Sequence, residues 1–118
     1  MYAITKEFAF SASHTLTLLP DDHQCARLHG HNYIVKIELN SLELDEVGFV
    51  TDYGDLSPLK KYIDREFDHR DLNEVMKHPN PTAELIAKHF YDWCIQRFPN
   101  TVAIHVSETP KTWATYRP

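Results

Sequence analysis

Two histidines one residue apart, His29 and His31, form the segment of this sequence with the greatest capacity for chemistry. In an extended strand, side chains two positions apart point to the same face of the sheet. Both imidazoles can therefore bind one metal ion, and Gly30 between them adds no side chain that would block a ligand. A single pair of this kind also occurs by chance, so a metal site requires further ligands.

Further ligands are available at His14, which ends an alternating apolar run, and at Cys25. Three protein ligands with one open position are typical of catalytic zinc sites, whereas four protein ligands are typical of structural ones. Cys25 could complete a closed structural site, or it could act as a base beside the metal ion, since a nearby cation favours the thiolate. The spacing leaves both alternatives open. The remaining histidines without a partner at ligand spacing are interpreted as structural or solvated, and they are His23, His78, His89 and His105.

The composition predicts one globular domain, residues 1–118, with neither nucleic acid nor a membrane as a partner. The formal net charge is -5, and no basic stripe is present that could follow a phosphate backbone. No apolar run approaches the ~20 residues that cross a bilayer. The N-terminal residues lack the pattern of a signal peptide, and two cysteines give no disulfide framework. We therefore expect a cytoplasmic protein.

Periodic apolar residues predict four strands and two helices. The predicted strands cover residues 2–10, 31–40, 101–108 and 111–116. Ser57 and Pro58 favour the start of the first helix, and Thr82 favours the start of the second. The order strand, strand, helix, helix, strand, strand (ββααββ) predicts an α+β fold, in which a four-stranded antiparallel sheet carries two helices on one face.

Two further positions place carboxylates where they could take part in chemistry. Asp68 precedes His69 at a predicted helix end, and a carboxylate can fix the tautomer of a histidine and support its charged form. Adjacent side chains rarely pair in a regular helix, so this pairing requires an irregular turn, and the alternative is a solvated helix end. Glu108 falls on the apolar phase of its strand, where a carboxylate costs free energy unless it is paired. A ligand anchor and a strand-edge salt bridge are both open for Glu108.

Six short segments, in this order, resemble the 6-pyruvoyltetrahydropterin synthase / 6-carboxytetrahydropterin synthase family over nearly the whole chain. These segments are residues 10–14, 25–33, 49–53, 72–73, 80–84 and 107–109. The resemblance implies that His14, His29 and His31 are the ligands of one zinc ion per subunit. It also implies that Cys25 is the catalytic base, that Asp68 and His69 are its acid/base partners, and that Glu108 completes the catalytic set by binding the pterin ring.

The same resemblance implies a fold, an assembly and a reaction. The fold would be the tunnelling fold, whose sheets close into a barrel, and the assembly a homohexamer of two trimers with active sites between subunits. Three residues separate Cys25 from His29, which resembles the queuosine-pathway branch, the 6-carboxy-5,6,7,8-tetrahydropterin synthases. Such a zinc-dependent lyase would act on 7,8-dihydroneopterin triphosphate. The alternatives are a 6-pyruvoyltetrahydropterin synthase and, from another class, a non-catalytic structural zinc-binding module.

Overall fold

Two long antiparallel strands form the centre of the fold. The computed structural model describes all 118 residues. Strand β1 (Tyr2–His14) pairs with strand β2 (His29–Ser41) along its whole length, and His14 lies directly opposite His29. Both strands are longer than their predicted ranges, and the additional residues carry His14 and His29 into the sheet. Alternation of large apolar residues does not predict this extension of β1, because the small residues Ser11, Ala12 and Ser13 precede His14.

The other elements complete a mixed sheet with helices on one face. They are α1 (Ser57–Glu66), β3 (Arg70–Asp71), α2 (Leu72–Val75), α3 (Ala83–Ile95), β4 (Thr101–Thr109) and β5 (Thr112–Tyr116). Two short 3-10 turns cover Gln24–Ala26 and Tyr53–Leu56. The strand order is β3-β1-β2-β4-β5, and all neighbours are antiparallel except β3, which is parallel to β1.

The predicted α+β class is confirmed, but the predicted sheet of four antiparallel strands with two helices is wrong in detail: a fifth strand, β3, is parallel to β1, and a short third helix, α2, follows it. Strand β3 is a fifth strand of two residues, which pair with Ala12 and Ser13 of β1. It forms because His69 adopts a left-handed conformation, with φ 60°, and turns the chain back along β1. The His69 N–H donates to the Ser11 carbonyl at 2.6 Å and starts this pairing. A two-residue strand has no periodicity that a sequence pattern could reveal.

The core lies between the sheet and the two longer helices. On β2, Tyr33, Val35, Ile37 and Leu39 are buried, whereas the residues between them face the opposite side of the sheet. The helices fill the covered face with apolar side chains, which include Leu59, Ile63, Ile86, Phe90 and Cys94. Thr82 caps α3 by accepting from the Leu85 N–H, as its position in the sequence predicts. None of the helices has the length and apolar character that crossing a membrane requires.

Candidate metal centre and active site

Three histidines converge where β1 ends and β2 begins. His14 and His29 are opposite each other in the antiparallel pair, and His31 follows two residues along β2 on the same face. The three ring centroids lie 4.5 to 5.1 Å apart, and one ligand atom from each ring lies within 4.8 Å of the others. The strand register therefore brings together the three ligands predicted from the sequence.

Backbone carbonyls determine which ring nitrogen is free in two of these histidines. His14 Nδ1 donates to the Pro81 carbonyl at 2.9 Å, and His29 Nδ1 donates to the Arg27 carbonyl at 2.7 Å. A carbonyl oxygen only accepts, so the neutral rings carry their lone pairs on Nε2. The two Nε2 atoms lie 2.9 Å apart, and two lone pairs at this distance repel each other unless a cation lies between them. Two nitrogens on one tetrahedral zinc ion are about 3.3 Å apart, so this donor set fits a metal ion.

The third ring offers a further unpaired nitrogen. His31 Nε2 is buried without a hydrogen-bond partner, and Glu108 Oε2 lies 3.5 Å from it. Burial lowers the pKa of His31, the Glu108 carboxylate opposes this shift, and His14 and His29 add to the lowering. A neutral histidine is the form that binds a metal ion. The environment of His31 therefore favours its role as the third ligand.

Glu108, whose carboxylate lies 3.5 Å from His31, borders a cavity. The cavity has a volume of about 280 Å³ and lies between the start of α3 and strands β4 and β5. Its lining consists of Ala83, Glu84, Val106, Glu108, Thr112, Trp113 and Ala114. A larger cavity of about 480 Å³ lies along β1 near Lys6 and Tyr53, but it contains none of the candidate site residues. Two cavities are thus bordered by candidate site residues: the one of about 280 Å³ by Glu108, which lies 3.5 Å from His31, and a third of about 490 Å³ by His69.

Cys25 lies in the 3-10 turn Gln24–Ala26 and is partly buried. The group of potential ligand atoms within 4.8 Å of one another comes from the three histidines, and the Cys25 thiol is not part of it. This arrangement favours a three-ligand centre with an open position over a closed four-ligand centre.

Asp68 and His69 form the irregular turn that their pairing requires. His69 Nδ1 lies 2.9 Å from Asp68 Oδ2, and Asp68 Oδ1 accepts from the Ser11 N–H at 2.9 Å. The Ser11 N–H, together with His69, lowers the pKa of Asp68, so the carboxylate stays charged. The His69 side chain is 81% exposed. No hydrogen bond or ion pair links this dyad to Cys25 or to the three histidines within the chain.

Comparison with known proteins identifies the family. The family model for 6-pyruvoyl tetrahydropterin synthase matches residues 3–118. The chain belongs to the 6-pyruvoyl tetrahydropterin synthase family. It is therefore a pterin synthase of the lyase type, and its α+β fold is the tunnelling fold that the resemblance implies.

Relatives within the 6-pyruvoyl tetrahydropterin synthase family are similar over most of their length. The 6-carboxy-5,6,7,8-tetrahydropterin synthase of Bacillus subtilis (strain 168) is 31% identical, over 99% of this chain and 86% of that protein. The Synechocystis enzyme of the same name is 32% identical, over 98% of this chain and 93% of that protein. The structure of Caenorhabditis elegans 6-pyruvoyl tetrahydropterin synthase has a TM-score of 0.86 at 27% identity, over 99% of this chain and 95% of that one.

Three residues that support the site in this member of the 6-pyruvoyl tetrahydropterin synthase family have no role that the sequence alone reveals. The Pro81 carbonyl orients His14, and a backbone carbonyl has no sequence signature. The Tyr33 hydroxyl lies 3.2 Å from His14 Nδ1, although Tyr33 reads as one more apolar residue of β2. The Asn73 side chain bonds both the N–H and the carbonyl of Thr15, at 2.8 Å each, and fixes the chain just after His14.

Proposed function

We propose that this protein is a 6-carboxy-5,6,7,8-tetrahydropterin synthase of queuosine biosynthesis. It converts 7,8-dihydroneopterin triphosphate to 6-carboxytetrahydropterin, acetaldehyde and triphosphate. The observation that carries the proposal is the convergence of His14, His29 and His31, in a chain 31% identical to a curated enzyme of that name. The three residues between Cys25 and His29 support the same branch of the family.

The three histidines hold one zinc ion per subunit in this proposal. When bound, the ion supplies Lewis-acid chemistry that makes the hydroxyl groups of the substrate side chain more acidic. Orientation of the ligands comes from the protein, because the carbonyls of Pro81 and Arg27 fix the rings of His14 and His29. Cys25, as a thiolate, removes a proton from the substrate side chain.

Glu108 binds the pterin ring at the cavity beside His31. A carboxylate can accept two parallel hydrogen bonds from the guanidine-like edge of a pterin, as it does from arginine. The Glu108 side chain is 26% exposed and borders the cavity of about 280 Å³, so it can reach both the ring and the centre. This contact orients the substrate side chain toward Cys25.

Asp68 and His69 return protons during tautomerisation and carbon–carbon cleavage. Asp68 holds the His69 ring through Nδ1, which leaves Nε2 free at a highly exposed position. The dyad makes no contact with Cys25 within one chain, so we propose that it reaches the Cys25 of another subunit in a homohexamer of two trimers. The edge of β1 supports this assembly, because β3 covers only Ala12 and Ser13 and leaves the rest of that edge open to another strand.

A second candidate is 6-pyruvoyltetrahydropterin synthase, which is favoured by the similarity to the C. elegans structure. Turnover of 7,8-dihydroneopterin triphosphate by the zinc-loaded protein distinguishes the two when the product mass and acetaldehyde are followed together. We expect the carboxypterin and acetaldehyde. A pyruvoyl product without acetaldehyde would contradict the proposed branch and retain the family.

The structural zinc-binding module is tested by the Cys25→Ala variant. We expect this variant to lose turnover and to keep the zinc content of the wild type, because the three histidines form the ligand group without Cys25. We also expect the metal-free protein to remain folded and Cys25 to react with alkylating reagents. Loss of zinc from Cys25→Ala would instead assign Cys25 as a fourth ligand.

A further inference from the structure

The imidazole of His23 contacts the backbone of Cys25, although the sequence suggests only a structural or solvated role for it. The Cys25 N–H donates to His23 Nδ1 at 3.0 Å, so that His23 is the N-cap of the turn Gln24–Ala26. Because an N–H only donates, this hydrogen bond requires a lone pair on Nδ1 and therefore the tautomer with its proton on Nε2. His23 thus performs the capping that serine, threonine, aspartate or asparagine usually performs.

This turn is attached to both strands that carry the histidine ligands. The Cys25 carbonyl accepts from the Leu16 N–H at 3.0 Å, and Leu16 lies two residues beyond His14. On the other side of the turn, the Arg27 carbonyl accepts from His29 Nδ1 at 2.7 Å. The backbone around Cys25 is therefore fastened at each side to a metal-ligand strand. The dihedral angles of the turn then decide where the thiol points relative to the centre.

Few other interactions hold the turn in its conformation. It is the sole regular element between β1 and β2. Two backbone hydrogen bonds close it: the Ala26 N–H donates to the His23 carbonyl at 3.0 Å, and the Arg27 N–H donates to the Gln24 carbonyl at 3.2 Å. Gln24, within the turn, is exposed, and its side chain makes no hydrogen bond. The Cys25 N–H would lose its partner if the His23 ring were removed, and the turn could then change its dihedral angles.

We infer that His23 is a positioning residue, which holds the Cys25 thiol beside the three-histidine centre by capping the turn at the Cys25 N–H. The inference rests on the proposed role of Cys25 as the catalytic base. His23 contacts neither the three histidines nor the cavity at Glu108, so it acts through the backbone of Cys25 alone. A base displaced by about 1 Å can lose about 10²-fold in rate, which is the range in which the loss of this cap is expected to act.

Three variants test the inference. His23→Ala removes the cap, His23→Asn places an acceptor oxygen close to the position of Nδ1, and Gln24→Ala is a matched control in the same turn. The measurements are kcat, KM, zinc content and the rate at which iodoacetamide alkylates the thiol, with and without bound zinc. Alkylation reports on Cys25, because Cys94 is fully buried and burial raises the pKa of its thiol to about 12.

We expect His23→Ala to keep its zinc and its KM but to lose about 10- to 100-fold in kcat. The ratio of alkylation rates with and without zinc should differ from one in the wild type and approach one in His23→Ala, since the thiol no longer stays beside the ion. His23→Asn should restore both kcat and this ratio, and Gln24→Ala should resemble the wild type.

Wild-type kcat and a wild-type alkylation ratio in His23→Ala would overturn the inference. Equal losses of kcat in His23→Ala and His23→Asn would also overturn it, because the effect would then not come from capping. A loss of zinc in His23→Ala would overturn it as well. Cys25→Ala separates this inference from the proposed function. Full turnover in Cys25→Ala would refute the role of Cys25 itself, whereas an inactive Cys25→Ala beside an unaffected His23→Ala would refute only the role of His23.

Discussion

The Tyr33 hydroxyl lies 3.2 Å from His14 Nδ1, and Tyr33→Phe tests whether this second contact helps to orient the ligand. Tyr33 is fully buried, and its ring stacks on Phe10 with centroids 4.9 Å apart. The substitution therefore keeps the packing and removes one polar atom. The Pro81 carbonyl, at 2.9 Å, is the closer partner of Nδ1 and keeps the tautomer in place.

The expected loss is that of one long, secondary hydrogen bond, in the lower half of the usual range, or about 0.5–1 kcal/mol. Since about 1.4 kcal/mol corresponds to a factor of ten, zinc affinity should fall about 2- to 5-fold. Competition with a chromophoric chelator measures the affinity, and urea unfolding of the metal-free protein measures the stability. Tyr91→Phe is the matched control, because the Tyr91 ring packs against Tyr116 and its hydroxyl makes no hydrogen bond.

Two outcomes would refute this reasoning. A loss of affinity greater than about 100-fold, beyond the usual range for a residue behind a metal ligand, would mean that Tyr33 rather than Pro81 determines the orientation of His14. Unchanged zinc affinity together with an unchanged free energy of unfolding would mean that the Tyr33 hydroxyl contributes neither to the orientation of His14 nor to the stability of the fold.

Two further predictions concern histidines in other environments. Burial lowers the pKa of His89, and Asp92 only partly opposes this shift, so the unfolded chain binds a proton at His89 more readily than the folded chain does. The stability that comes from neutral His89 is therefore fully present above pH 6.5, the ordinary pKa of histidine, and is lost as the pH falls below that value. Protonation also removes the acceptor for the Tyr62 hydroxyl at 2.7 Å. Urea unfolding of the metal-free protein between pH 7 and pH 5 should therefore show a steeper loss in the wild type than in His89→Gln, and parallel curves would contradict this. Asp68→Asn should lower kcat by about 10²-fold or more with unchanged zinc content, because the amide oxygen still accepts from the Ser11 N–H but no longer supports a charged His69; an unchanged kcat would exclude Asp68 from the reaction.

The pairing of His29 and His31 as candidate metal ligands could be predicted because it depends on local spacing. His29 and His31 share a face in any strand, whatever the rest of the chain does. Their meeting with His14 depends on the extension of both strands beyond the ranges that apolar alternation reveals, which places His14 opposite His29. The α+β class, by contrast, follows from the periods of the longer elements. The elements that could be predicted are thus the strands and helices long enough to show a repeat of two or of 3.6 residues.

The remaining features depend on contacts between distant positions. Strand β3 is too short for any period, and it forms only because the left-handed turn at His69 meets Ser11, almost sixty residues earlier. The Asp68–His69 pair depends on that same turn, which a sequence read as a helix end does not contain. The fifth strand and the geometry of the Asp68–His69 pair therefore depend on the same turn, which the sequence offers only as one of two alternatives at this helix end.

The candidate metal centre also depends on helix docking, because the group that fixes the His14 tautomer is part of the turn before α3. Pro81 is buried, and the next residue, Thr82, caps α3, which packs its apolar face against β4 and β5. Displacing the start of α3 would remove the closer acceptor for His14 Nδ1 and leave the Tyr33 hydroxyl at 3.2 Å as its partner, so the ring proton could move to Nε2, the atom that faces His29. The ring would then present a proton where a metal ion requires a lone pair. Metal affinity and the docking of α3 must therefore be thermodynamically linked: whatever binds the three histidines also stabilises the helix whose first residues border the cavity at Glu108.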